Sequence, residues 1–325
     1  MTVHNNIYTM LENSIALLRG NRIVKKMTSC TCKAVFDAID VVSDAILNAC
    51  PYRYDIDEVE IERDIVYELS NPRECVFDRY YTPRQKNRPA MIIIHGGGFS
   101  SGDKKHRRAL ARFFAHDGYT VFCVNFGLMG ACVFPKPLGQ LARFVNHIGD
   151  NADLYGIDPQ KIYLAGDSSG AYYAAMLGAF ACGGGLGDIV GESIKYPVSG
   201  LILNCGIYDL DTALKNKVGF ITGGIMDGFF RSGENKKCMP TDFIDGSFPP
   251  TFLVYSERDF FCKGQGEALY DKLTECGVYT EYYKARHIYS NHCFCLFWRG
   301  EDAVAANELM RSFMHRLSDG KIKID

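Results

Sequence analysis

No apolar run in the 325-residue chain reaches the ~18 residues of a membrane-crossing helix. Positive charge is not in excess: 36 Lys and Arg stand against 38 Asp and Glu, a formal charge of −2. A dedicated nucleic-acid binder is usually basic, so that class is set aside. The first residues, MTVHNNIYTMLENSIALLRGNRIVKKM, have no basic stretch ahead of a long apolar core and do not read as a secretory signal. Thirteen cysteines are present without one C-x-x-C pair. Cys30/Cys32 and Cys293/Cys295 are C-x-C pairs, too close to build a usual four-ligand zinc site alone. The expectation is therefore reduced thiols in the cytoplasm, no metal and no cofactor. Internal repeats and low-complexity tracts are also missing.

What is present is a change of period along the chain. Residues 1–50 place Ile7, Leu11, Ile15 and Leu18, then Val35, Ile39, Val42 and Ile46, at helical spacing. Val59–Leu69 and Cys75–Pro83 read as an antiparallel strand pair turning at Ser70-Asn71-Pro72. The unbroken run Met91–Ile94 reads as a strand buried on both faces. Apolar runs then recur at Thr120–Phe126, Lys161–Gly166, Gly200–Cys205, Thr251–Tyr255 and near Tyr279–Lys284. Helical stretches alternate with them at about 106–117, 137–149, 169–181, 264–276 and 301–317. That alternation predicts an α/β fold, a mostly parallel sheet with helices on both faces. The dense basic run Asp103–Arg108 reads as a solvated helix start, not as a phosphate site. Asp209–Pro249 breaks the rhythm with Gly223, Gly224, Gly228 and Gly233 among phenylalanines, and a long excursion of this kind reads as a lid.

Two short segments carry chemistry. Gly166-Asp167-Ser168-Ser169-Gly170 lies between an apolar strand and an Ala-rich helix, which is the context of a nucleophile elbow. Such a turn is too tight for side chains two residues either side of the serine. The bland alternative is a Gly/Ser turn with Ser169 as a helix N-cap. His95-Gly96-Gly97-Gly98-Phe99 follows the Met91–Ile94 strand directly. Consecutive glycines are costly to order and make sense where backbone N–H groups approach a substrate. The amides of Gly97, Gly98 and Ser169 are candidates for an oxyanion hole. A flexible loop is the plain alternative. A phosphate cradle would need a following Lys-Ser/Thr or a G-x-G-x-x-G pattern, and neither follows.

HGGGF at 95–99 and GDSSG at 166–170, in this order, resemble the hormone-sensitive-lipase-type carboxylesterases of the α/β-hydrolase superfamily. The resemblance covers roughly residues 55–318 and includes Gly102-Asp103 and Gly156-Ile157-Asp158-Pro159. It implies an α/β-hydrolase domain at 55–325 with a lid insertion at about 209–249, and a helical cap segment at 1–54. It also implies a Ser, Asp or Glu, His triad in that chain order. The family's acid stands a few residues past the penultimate strand, which matches Asp259, with Glu257 as the fallback. For the histidine the family's H-G-F pattern matches His292-Cys293-Phe294, while His287 follows the last strand almost at once.

Three departures stand out. Asn125–Gly130 replaces the family's Tyr-Arg-Leu-Ala-Pro-Glu, which removes a structural ion pair. Ser169 replaces the usual Ala beside the nucleophile, and Cys293 replaces Gly after the histidine. The expected activity is hydrolysis of short- to medium-chain acyl esters by Ser168, His292 and Asp259, with Phe99 and Phe229 lining an apolar substrate site. A small-molecule ester is the expected partner, with no nucleic acid and no membrane span; a homodimer stays compatible. Deacetylation of sugars, amidase or formamidase chemistry, and a non-catalytic small-molecule-binding member of the fold are the alternatives.

Overall fold

Met91 and Ile93 pack into one apolar cluster and Ile92 and Ile94 into another, so the side chains of one short strand feed two cores. Successive residues of a strand point to opposite faces, and all four are buried. A sheet with cores on both sides follows. The structure is a computed structural model. It describes residues 58–83, 86–215, 225, 226, 228–230, 238–298 and 300–322, and five separate positions near the N-terminus: Ala34, Asp37, Ala38, Val41 and Ala45. The apolar positions assigned to N-terminal helices, Ile7 to Ile46, lie outside the described residues. So does much of the lid segment.

Eight strands form one sheet: β1 (Glu60–Val66), β2 (Val76–Tyr81), β3 (Arg88–Ile94), β4 (Thr120–Val124), β5 (Ile157–Asp167), β6 (Val198–Asn204), β7 (Thr251–Ser256) and β8 (Thr280–Ala285). Their order is β1-β2-β4-β3-β5-β6-β7-β8. β2 runs antiparallel to both β1 and β4, and every other neighbouring pair is parallel. The helices are α1 (Arg108–His116), α2 (Lys136–Asp150), α3 (Ala152–Tyr155), α4 (Ser169–Ala181), α5 (Gly187–Val190), α6 (Leu210–Lys215), α7 (Gln265–Glu275) and α8 (Glu301–Ser318). Residues of α2 and α4 fill one core, and those of α1 and α8 fill the other. This is the α/β-hydrolase architecture. Among the described residues no helix is long and apolar enough to cross a membrane.

The basic run departs from its expectation. A helix does start there, with a 3-10 turn at Lys104–Arg107 leading into α1, but Lys104, His106 and Arg107 are buried. Lys104 Nζ pairs with Asp78 at 2.6 Å and with Asp64 at 2.8 Å. Arg107 clasps Asp167 through Nε and Nη2 at 2.5 and 2.6 Å. Charge density alone does not show which cations will meet carboxylates from strands far off in sequence.

Candidate active site

β5 ends at Asp167 and α4 begins at Ser169, so Ser168 alone makes the turn. Its backbone sits at φ 52°, ψ −121°, a conformation L-residues rarely adopt. The glycines either side are a steric requirement. A Cβ on Gly166 would lie 2.3 Å from the Gly170 carbonyl oxygen, and one on Gly170 would lie 2.1 Å from that of Ile94. Ser168 N–H donates to the Asn204 carbonyl at 2.8 Å, anchoring the turn to β6. Ser168 occupies the N-cap position of α4, and its side chain makes no cap bond. The hydroxyl faces His292 Nε2 instead, at 2.9 Å.

His292 lies on the loop after β8, and its Nδ1 is 3.0 and 2.9 Å from the two Asp259 carboxylate oxygens. Asp259 follows β7 and is buried. Its Oδ1 also accepts the amides of Phe261 and Cys262 at 2.9 and 2.8 Å. Burial alone would raise the Asp259 pKa, but the His292 charge and these hydrogen bonds outweigh it and hold the group below the ordinary aspartate value. Burial also opposes charging of His292. The charge and hydrogen bond of Asp259 prevail, and the imidazole pKa is raised.

The alternatives stand elsewhere. His287 is exposed, its amide donating to Asp302 at 3.3 Å and its Nδ1 accepting the Tyr289 amide at 3.4 Å. The Glu257 carboxylate faces Lys284 at 3.2 Å.

The glycine loop lies against the elbow. Gly97 has φ 135° and Gly98 φ 58°, both in the region that favours glycine. A Cβ on Gly96 would meet Asp167 Oδ2 at 2.5 Å. The Gly96 amide donates to that same oxygen at 3.2 Å, so it is already used. One carboxylate thus takes both the loop and Arg107. His95 is buried, stacks on Phe126 at 4.8 Å, and its Nδ1 is 2.8 Å from the Gly96 carbonyl. Burial, helped by the nearby Arg107 charge, lowers its pKa to about 4, so the ring is neutral. Asn125, at the first position where the family pattern is broken, accepts the Lys104 amide at 2.7 Å and donates to Asp103 at 3.0 Å.

Phe99 and Phe229 do meet, with ring centroids 4.3 Å apart and planes at 25°. They sit in an aromatic cluster with Tyr172, Tyr173, Phe134 and Phe230. Phe229 is 0% and Phe99 4% exposed, so both rings are buried in this cluster, Phe229 stacked against Phe99. A cavity of about 610 Å³ opens beside the histidine loop, lined by His287, Tyr289, Asn291, His292 and Phe297 among others.

Sequence reasoning missed Arg107, Asp167 and Asn291. Asn291 Oδ1 accepts the amides of Phe260 and His292 at 3.1 and 2.7 Å, joining the acid loop to the histidine loop. Asp167 lay inside the quoted motif, but its pairing with Arg107, 60 positions away, leaves no local signal in sequence.

Fold and site geometry together define the α/β-hydrolase class. The chain belongs to the BD-FAE family, whose model matches residues 77–273. It is 23% identical over 214 residues to an acetyl esterase of Salmonella typhi, an alignment covering 59% of this chain and 61% of that protein. The chain thus spans about 61% of the length of that relative. Esterase B of Lactobacillus rhamnosis superposes with a TM-score of 0.81 at 18% identity, covering 91% of this chain and 97% of that one. The same esterase inhibited with a C4-C4 SN3 tributyrin phosphonate gives 0.80 at 19% identity, covering 93% and 98%.

Proposed function

We propose that the chain is a serine carboxylesterase acting on short- to medium-chain acyl esters. The observation that carries this reading is the hydrogen-bonded line from Ser168 Oγ through His292 to Asp259. Ser168 attacks the ester carbonyl while His292 Nε2 takes its proton. The carbonyl becomes a tetrahedral oxyanion facing the amides of Gly97, Gly98 and Ser169. His292 then returns the proton to the leaving alcohol, and an acyl-serine remains. Water, deprotonated by the same imidazole, attacks that acyl group, and Ser168 recovers its proton as the acid departs. Asp259 orients the ring and stabilises its charged form. No step calls on a metal or an organic cofactor.

The acetyl esterase and the phosphonate-inhibited esterase among the similar proteins support the ester class. Acetylated sugars remain the runner-up substrate on the same machinery. A cytoplasmic location belongs to the proposal on the ground of ten free cysteines among the described residues. The test is a panel of p-nitrophenyl acetate, butyrate and octanoate, with labelling by a serine-directed phosphonate and mapping of the adduct. Turnover with the label on Ser168 is the expected result. No turnover and no label would assign the chain to the non-catalytic binders of the fold.

A further inference from the structure

Three thiols surround the Asp259–His292 pair, and the proposed reaction uses none of them. Cys205 follows β6 directly and Cys293 follows His292, and both are buried. Each sits at positive φ, 47° and 52°, where a Cβ is unwelcome and glycine would rest more easily. Cys205 lies within hydrogen-bonding reach of Cys293 and of Asp259. The two sulfurs and a ring nitrogen of His292 all lie within 4.8 Å of one another. Asp259, Cys262 and His292 form a second group of the same kind, sharing the histidine.

We propose that Cys205, Cys293 and His292 form a latent site for a soft divalent cation, zinc or cadmium, and that its occupation shuts the triad down. Two thiolates and one imidazole are the donor set such ions favour. Bonds of roughly 2.0–2.3 Å place tetrahedral ligands about 3.3–3.8 Å apart, so closure takes on the order of 1 Å of side-chain movement. The balance is simple: the ion enters, two thiol protons leave to solvent, and the ring nitrogen gives its lone pair to the metal. Both nitrogens of His292 are engaged in the triad, one toward Ser168 and one toward Asp259. Whichever the ion takes, the base is lost. Access runs through His292, whose side chain is 17% exposed. The site inhibits and is not a resident metal centre, so a chelator restores activity and does not remove it.

The inhibition rests on the esterase reading; the binding does not, and the two are measured separately. Cadmium chloride is titrated into the full chain while thiolate-to-metal charge-transfer absorption is recorded. Cadmium-113 NMR of the same sample identifies the donor set without recourse to any variant. One ion per chain with two thiolate donors and a nitrogen is expected. At full occupancy ester hydrolysis is expected to fall by on the order of 10⁴-fold or more, as for loss of the triad histidine, and to return with EDTA. Cys205→Ser and Cys293→Gly, each compared with its own metal-free rate, should lose the band and the inhibition, whereas Cys295→Ser should keep both. A wild-type spectrum without two-thiolate coordination overturns the proposal. So does a band that survives in folded Cys205→Ser and Cys293→Gly proteins. Binding seen without any ester turnover would leave the metal site standing and fell the esterase reading instead.

Discussion

Ser168 and the glycine loop lie at the ends of central strands, where Gly96, Gly166 and Gly170 leave no room for a Cβ and where Arg107 and Asp167 lock the two segments together beneath the surface. Asp259 and His292 ride on loops beyond the two strands at the sheet's far edge. Their neighbours Phe260, Ile288 and Tyr289 are 54%, 61% and 82% exposed. The bonds described between those loops are mostly side-chain ones: His292 to Asp259, Asn291 to the Phe260 amide, and Ser256 Oγ to the Ser290 carbonyl, beside the backbone bond from the Glu257 amide to the Ala285 carbonyl. The serine side is held by backbone shape, and the histidine side by a few polar contacts between distant loops. Backbone constraint leaves a local mark in sequence, because it demands particular glycines at particular offsets. Contact between loops leaves little, because almost any residue can precede or follow the one that reaches across.

The largest expected effects separate chemistry from support on each side. Ser168→Ala should keep the fold and lose on the order of 10⁴–10⁶ in kcat, the usual loss for a triad nucleophile. His292→Ala should lose a similar amount, while His287→Ala should stay within a few-fold of wild type. Steady-state rates on purified proteins with matching circular dichroism check both. More than about a tenth of wild-type rate in Ser168→Ala would show that the serine is not the nucleophile. The reverse ranking of the histidines would move the base to the exposed loop.

Next comes the brace. Arg107→Met strands the buried Asp167 charge, and removing one partner of a buried pair costs about 3–5 kcal/mol. The same carboxylate holds the Gly96 amide, so the oxyanion loop should loosen as well. Losing such a donor costs about 10²–10³ in kcat. Urea unfolding and kcat with the acetyl ester measure the two effects. Arg107→Lys, which restores one charge but not the fork, should recover stability more than rate. An unchanged kcat in a destabilised Arg107→Met protein would make the bridge purely structural.

Phe229→Ala acts at one remove. The ring is wholly buried against Phe99, and emptying such a site costs about 3–5 kcal/mol of stability. Phe99, freed to shift, should then change acyl preference, a pocket effect of roughly 1–3 kcal/mol per methylene. kcat/KM for acetyl, butyryl and octanoyl esters should change unequally, with acetyl least affected. A uniform fall across all three would mean that this cluster supports the catalytic residues and selects nothing.

The strands, the five main helices and the elbow were legible because each rests on a short-range pattern: continuous apolar runs, helical period, and glycines flanking Ser168. β5 begins at Ile157, earlier than its apolar run at Lys161, since pairing with β3 extends it through polar residues. The choice of Asp259 over Glu257 came from family resemblance, and that of His292 over His287 from resemblance together with reach beyond the last strand. Arg107 was misread because its partner lies 60 positions away. Cys205 went unremarked because nothing near it in sequence announces Cys293.

The smallest expected effect tests the electrostatics of the histidine side. In the folded protein burial pulls the His292 pKa down and Asp259 pulls it up, with Asp259 prevailing. A base must be neutral to accept the Ser168 proton, so kcat/KM should fall as pH drops through this raised pKa, somewhat above the ordinary histidine value of about 6.5. The sign for stability is opposite. A pKa raised on folding contributes stability that is fully present below the unfolded value and is lost as pH rises through the folded one. Asp259→Asn removes the charge and leaves the burial, so the His292 pKa should then drop below the ordinary value. Imidazole NMR titrations of the Ser168→Ala protein, with and without Asp259→Asn, read both values without any need for turnover. If the second substitution left the titration where it was, Asp259 would not be what holds the charge on His292, and the raised pKa would have to come from elsewhere in the site.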